Sequence, residues 1–185
     1  LGGLVGRNSG GLIYACRATG SVGGQQGVGG LIGTHSYGWI RSCYSRNRVH
    51  AGQYAGGLTG DYNSTGSILF SYAAGPVSAG EEDSAGGISV SYVNSTYLCY
   101  WDAQTNGCVS GQGAEAKTTE QMMMRETFRG WGYDGQWVLE DGQDYPRLAW
   151  EGSAGEPLVD DPDPFEVGEG TEDDPYRIAA SEQFL

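Results

Sequence analysis

The letters "GGLVG" at residues 2–6 return as "GGLIG" at 29–33, as "GGLTG" at 56–60 and, more weakly, as "GGISV" at 86–90. The glycine pairs begin at Gly2, Gly29, Gly56 and Gly86, so the steps are 27, 27 and 30 residues. A fixed step of this length marks a repeat architecture, in which one unit too small to bury its own apolar face stacks on the next. Each repeat holds three short apolar pieces: the residues after the glycine pair, then "LIYAC", "WIRSC" or "SILFS", then a piece ending at Val22, Val49 or Val77. Each is strand-length, rich in Ile, Val and Tyr, and bounded by Gly, Ser or Asn, and no helical period persists. The expected fold class is therefore all-β: a parallel β-helix, or β-solenoid, of about 27-residue coils. One coil of extended chain measures roughly 90 Å around, enough for three sides.

Stacking places equivalent residues about 4.8 Å apart. Leu4, Leu31, Leu58 and Ile88 are expected to form one inward column. Ile13, Ile40 and Ile68 form a second, and Val22, Val49 and Val77 a third. The glycine pairs mark corners that need either positive φ or close backbone approach. The three extra residues of the third repeat fall around "YNST" and "GEEDS", where loops tolerate insertion. The competing fold is an antiparallel sandwich, whose strands do not repeat their side chains at a fixed step.

The 33 glycines among 185 residues are thus positional. They follow no every-third-residue pattern, and 5 Trp and 12 Tyr are more aromatics than a disordered chain carries. The net charge of −13 lies wholly beyond Gly113; before it, five arginines balance five carboxylates. With no basic patch, nucleic acid is excluded as a partner. No apolar run reaches the ~20 residues of a membrane span, so direct membrane insertion is not expected.

The pattern changes at Asn94. Residues 1–93 read as β-solenoid repeats and 94–150 as an aromatic-rich C-terminal cap containing Trp101, Trp131, Trp137 and Trp150. Thr118 and Gln121 form a capping box that predicts one short helix through Met122, Met123 and Met124. A bare solenoid end exposes strand edges and apolar columns, so aromatic closure is expected there. Residues 151–167 open a proline-containing acidic stretch that reads as a linker. Residues 168–185 read as the start of a following domain or as an interdomain or intersubunit segment.

The lines "GGLVGRNSGGLIYACRATGSV" and "GGLIGTHSYGWIRSCYSRNRV" resemble the GLUG-motif repeats of large bacterial surface and secreted proteins. "YWDAQTNG", "KTTEQM", "TFRGW" and "DYPRLAW" are similar to the segment that often closes such repeats, and "GEGTEDDPYRIAASEQFL" to the opening of another. The resemblance implies a right-handed β-helix in an extracellular, cell-surface protein. It implies no enzyme, and it carries over no functional residues. Ser71 departs from it where the motif has Cys, and Cys108 where the closing segment more often has a polar residue.

Four cysteines draw attention. Cys16, Cys43, Ser71 and Cys99 fall on one column, which reads first as small thiols packed as hydrophobes. A Cys16–Cys43 disulfide fits adjacent-rung spacing, and Cys99 with Cys108 would close a cap loop under oxidising conditions. Zinc spacing is absent. His35 and His50 read as solvated loop residues. Asp61 with Glu81, Glu82 and Asp83 is the one candidate carboxylate pair for glycoside chemistry. Asp160, Asp161, Asp163, Asp173 and Asp174 offer oxygen ligands for calcium, but without EF-hand or nonapeptide spacing they read first as a solvated linker. Asn63 and Asn94 begin glycosylation sequons. Catalytic, cofactor-binding and metal residues are therefore assigned as none.

The expected role is an extracellular structural or adhesive segment, extended by head-to-tail stacking. Its partners are other copies or domains of the same protein, or surface glycans and proteins. Tyr37, Tyr54 and Tyr62 are candidate contacts. The alternatives are a glycan-binding module and, behind it, a β-helix polysaccharide-degrading enzyme.

Overall fold

A computed structural model describes residues 1–62, 66–80, 84–90 and 95–159. The first coil consists of β1 (Val5–Ser9), β2 (Leu12–Tyr14) and β3 (Arg17–Gly29). The second repeats it as β4 (Ile32–Ser36), β5 (Trp39–Arg41) and β6 (Tyr44–Gly56). The third holds β7 (Thr59–Tyr62), β8 (Ser67–Leu69), β9 (Tyr72–Ala73), β10 (Val77–Ala79) and β11 (Ala85–Gly86). β12 (Thr96–Tyr97) and β13 (Tyr100–Asp102) add two sides of a fourth coil. Like sides pair with like, always in parallel, giving three sheets: β1-β4-β7, β2-β5-β8-β12, and a third built on β3 and β6. The chain is a β-solenoid, and the sandwich is excluded.

The register follows the repeat residue for residue. Val5 pairs Ile32, Ile13 pairs Ile40 and Val22 pairs Val49, each 27 apart. Between the second and third coils the offset is 27 at Ile32–Thr59, 28 at Ile40–Ile68 and 30 at Ala55–Ala85. One inserted residue therefore enters between β7 and β8, and two between β10 and β11. The third side is longer than its apolar piece foretold. β3 and β6 each run 13 residues into the next glycine pair.

Those pairs act by close approach. Neither Gly29 nor Gly30 has positive φ. A Cβ on Gly29 would run into the Ile32 carbonyl, and one on Gly30 into the Gly57 carbonyl and the Ser45 side chain. A left-handed corner without glycine lies between the second and third sides: Ala15, Ser42, Phe70 and Leu98 have φ of 49°, 51°, 49° and 46°. The rung-to-rung ladder runs through it. The Ala15 amide donates to the Arg41 carbonyl, Ser42 to Leu69 and Phe70 to Tyr97.

Inside the coils, Leu31, Leu58, Ile88, Ile40 and Ile68 are fully buried. Leu4 heads the first column but is 48% exposed, because no described rung lies beyond it. The interior narrows beside the glycine pairs, where Ala18, Ser45 and Ala73 stack. The next residue of that column is Trp101, whose ring lies against Gly87 and Gly111 and plugs the last coil. Asp102 follows, fully buried, and accepts from the Gln104 and Thr105 amides (2.8 and 3.0 Å), from Thr119 Oγ1 (2.8 Å) and from Tyr145 Oη (2.5 Å). It thereby caps α1 (Ala103–Asn106), which ends at left-handed Gly107. β14 (Glu115–Lys117) then lies parallel on β13.

The helix expected from Thr118 and Gln121 is shorter than foreseen. The reciprocal box forms, at 2.9 and 3.2 Å, but opens a single 3-10 turn over Gln121–Met123. Met124 is already extended, and Thr127 Oγ1 takes the Gln121 carbonyl that a longer helix would use. The only α-helical turn among the described residues is α1.

The aromatic segment lies along the flank of the stack. On the third sheet, Tyr44, Tyr72 and Tyr100 form an outward column; Tyr44 and Tyr72 stack at 4.9 Å and 4°. Phe128, Trp131, Trp137 and Tyr145 pack over it. They are carried by 3-10 turns and by an antiparallel sheet of β15 (Trp137–Leu139), β16 (Arg147–Leu148) and β17 (Glu156–Pro157). The segment is also pinned to the left-handed corners. Trp150 Nε1 donates to the Ala15 carbonyl (2.9 Å), Ser42 Oγ to Asp134 (2.5 Å) and Trp131 Nε1 to the Leu98 carbonyl (3.0 Å). Closure thus has two parts: Trp101 plugs the end, and the remaining aromatics cover a side. Among the described residues, no helix is long and apolar enough to cross a membrane.

The buried and open ends of the columns should differ in urea unfolding. Ile40→Ala, in a closed rung, is expected to cost about 2–5 kcal/mol, and Leu4→Ala under about 1 kcal/mol. Equal losses would contradict the stacking.

Candidate functional site

The strand alternation that turns Ile13, Ile40 and Ile68 inward turns their neighbours out. On the second sheet this makes two outward columns. Leu12 lies beside Trp39, and Tyr14 beside Arg41, Leu69 and Tyr97. Leu12, Trp39 and Tyr97 are 62%, 53% and 59% exposed. Leu12, Tyr14, Trp39 and Arg41 line a shallow depression of about 360 Å³. Arg41 is its hub. The guanidinium carbon lies 5.8 Å from the Tyr14 ring, 5.7 Å from Phe70 and 5.2 Å from Tyr133, while Nε is 3.5 Å from Asp134 Oδ2. Burial and the nearby Asp134 carboxylate push the Tyr14 phenol above its ordinary pKa. Phe70 and Tyr97 meet edge to face at 5.6 Å.

This face combines flat apolar rings with hydroxyl, indole and guanidinium donors. Trp, Tyr and Arg are the side chains that most often dominate binding surfaces. Side chains of this kind can stack and hydrogen-bond with a ligand.

The residues singled out in the sequence fall elsewhere. His35 is not a solvated loop residue: it lies in β4, fully buried, with Asn8 above it in register. The Asn8 amide lies 3.2 Å from His35 Nδ1, so a polar side chain can be buried there with a partner. His50 lies in β6, exposed and 3.1 Å from Ser78 Oγ. Asp102 is a structural carboxylate. Cys16, Cys43, Ser71 and Cys99 do form a column, and all four cysteines are free thiols. Burial pushes Cys99 up to about 12 and Cys108 to about 11. Tyr37 and Tyr54 are exposed, Tyr37 in a turn and Tyr54 within β6.

The backbone of Asp61 pairs with Thr34 and that of Tyr62 with His35. Glu81, Glu82, Asp83, Asn63, Asn94 and the acids from Asp160 onward lie outside the described residues. Among the described residues, no three His, Cys, Asp or Glu side chains cluster as metal ligands.

Residues 1–23, which contain β1, β2 and the first part of β3, match the family model of the GLUG motif. The first coil carries a GLUG motif. Comparison with curated proteins and with solved structures finds no match. The matched GLUG coil includes Leu12, Tyr14 and Cys16, and the second coil stacks on it in register. The aromatic face is therefore made where the GLUG-motif coil and the coil stacked on it lie side by side.

His35 predicts a pH dependence. Burial holds its pKa at about 4, against 6.5 for an ordinary histidine, and the Gly38 backbone offsets this only in part. The unfolded chain binds the proton more tightly, so stability is full above pH 6.5 and falls as the pH drops toward 4. The loss should reach about 3 kcal/mol. His35→Gln should remove that component from the pH profile of thermal unfolding; an identical profile would contradict it.

Proposed function

We propose that this chain is a structural and adhesive repeat segment of a large extracellular bacterial surface or secreted protein. The observation that carries this reading is the aromatic face of Leu12, Tyr14, Trp39 and Arg41, built across the first two coils and left uncovered among the described residues. Stacked coils give reach, since each adds about 4.8 Å, and they hold the face rigid. Rigid, pre-organised aromatic surfaces lose little conformational entropy on binding. The first coil also offers the edges of β1, β2 and β3 to another rung of the same register. That rung comes from further repeats or from a second copy stacked head to tail. The reading assigns the chain no catalytic step, cofactor or metal.

A glycan-binding role is the second reading, favoured by the exposed Trp39 and Tyr14 beside Arg41 in a depression of about 360 Å³. Pyranose rings present C–H faces to aromatic rings and hydroxyls to a guanidinium. Retention of the chain on a glycoprotein-coated surface tests adhesion, and titration with soluble oligosaccharides followed by Trp fluorescence tests the glycan. Trp39→Ala should cut retention about tenfold without shifting the unfolding midpoint, as removal of a binding hot spot does. Unchanged retention would remove this face from the adhesive role. Retention lost with Trp39 but unaffected by millimolar sugar would favour protein partners over glycans.

A further inference from the structure

The thiol column contains one pair able to react. Cys16 and Cys43 occupy equivalent positions on adjacent coils, just before the paired residues Arg17 and Tyr44. The Cys16 amide donates to Cys43 Sγ at 3.4 Å. Both thiols leave the backbone in the same way, each donating to the carbonyl two residues back: Cys16 Sγ to Tyr14 and Cys43 Sγ to Arg41, both at 3.1 Å. Parallel rungs hold equivalent Cα atoms about 4.8 Å apart, inside the roughly 4.4–6.8 Å span of disulfides. The next position of the column is Ser71, whose Oγ donates to the Leu69 carbonyl and accepts the Cys43 amide. Cys99 therefore stands two rungs from Cys43, nearly 10 Å away and beyond that span. Ser71 leaves Cys43 one cysteine neighbour in its column.

We propose that Cys16 and Cys43 form an oxidation site, at which a small-molecule disulfide converts the two thiols into one bond clamping the first coil to the second. The two sulfurs are unequal in a way that orders the steps. Cys16 is partly exposed and Cys43 fully buried. Interaction with the Cys43 side chain brings the Cys16 pKa down to about 6, while burial and Cys16 push Cys43 well up. The Cys16 thiolate attacks one sulfur of the oxidant disulfide, and the other half leaves as a thiolate and takes a proton from water. Cys43 then loses its proton to solvent and attacks Cys16 Sγ, and the second half leaves as a thiolate and takes a proton from water. Two protein thiols are oxidised, and one external disulfide is reduced to two thiols. The bond is independent of any adhesive role. It joins two coils otherwise held by ladder hydrogen bonds and packing.

Peptide mapping of the full chain equilibrated with oxidised glutathione tests it. Without reduction, trypsin should yield Asn8–Arg17 joined to Ser42–Arg46, lighter than the two separate peptides by two hydrogens. The unfolding midpoint should rise by several degrees, reversibly with dithiothreitol. Cys16→Ser and Cys43→Ser should each abolish the linked peptide while leaving the fold intact, since Ser71 shows that serine fits this column. Ser71→Cys should divide Cys43 between two partners. Glutathione retained on Cys16 without the link, or Cys99 and Cys108 as the sole oxidised pair, would overturn the proposal. So would a failure of the introduced thiol to compete.

Discussion

Every other feature depends on one constraint: successive coils must approach to the spacing of a backbone hydrogen bond around their whole circumference. Leu31 donates its amide to Leu58, and Leu58 to Ile88, while their side chains fill the same interior. A coil alone would have neither partner nor core, so each supplies half of the next one's stability. The tolerance is small wherever two backbones converge. At Gly29–Gly30 the space for a Cβ is already filled by carbonyl oxygens of the next turn and the next rung. The glycine pair therefore recurs wherever that crowding recurs.

The second corner solves a different problem. Four non-glycine residues in the left-handed region cost of the order of 1 kcal/mol or more each. What offsets that cost is order on both sides of the corner. The corner amides stay in the rung-to-rung ladder, and the carbonyls of Ala15 and Leu98 receive indole donors from Trp150 and Trp131. The same corners thus serve as a rail for the C-terminal segment. Polar tethers reinforce it, with Arg17 on Glu151 at 3.0 Å and Tyr44 Oη on Glu151 at 2.9 Å. Arg17 heads the column that continues as Tyr44, Tyr72 and Tyr100, so the segment reads four rungs at once.

What the sequence disclosed was whatever repeats. The 27-residue step predicts the parallel register, the three inward columns, the thiol column and the sites of insertion, because stacking turns sequence period directly into contact. What it concealed belongs to one place or depends on the partner. "THSYG" looks polar, yet His35 is buried because Asn8 of the coil above supplies an amide. Ala15, Ser42, Phe70 and Leu98 share a backbone conformation but no side-chain chemistry, so no letter marks the corner. Thr118 and Gln121 form their box, but Met124 turns extended three residues beyond it. The aromatic face of the second sheet was hidden for a related reason. Leu12, Trp39, Tyr14 and Arg41 differ from rung to rung, and only the register brings them onto one surface.

The two aromatic faces can be read against each other. On the third sheet, the outward rings of Tyr44, Tyr72 and Tyr100 are covered by Trp131, Trp137 and Tyr145, and Tyr72 is fully buried. On the second sheet, the outward side chains stand on the same kind of ladder with the same spacing, but Trp39 and Leu12 remain more than half exposed. The scaffold is equivalent; the difference is that the described part of the C-terminal segment lies over one and meets the other at its rim, at Tyr133 and Asp134. Arg41 marks that rim, shared between the rings of the open face and the carboxylate of the covering segment. The covered face shows what these coils do with a partner of matching chemistry: flat rings stack along the column while polar tips take the corner carbonyls. A ligand for the open face would meet Tyr14 and Trp39 on adjacent rungs of neighbouring columns, with the Arg41 guanidinium in place of a corner carbonyl as the polar anchor.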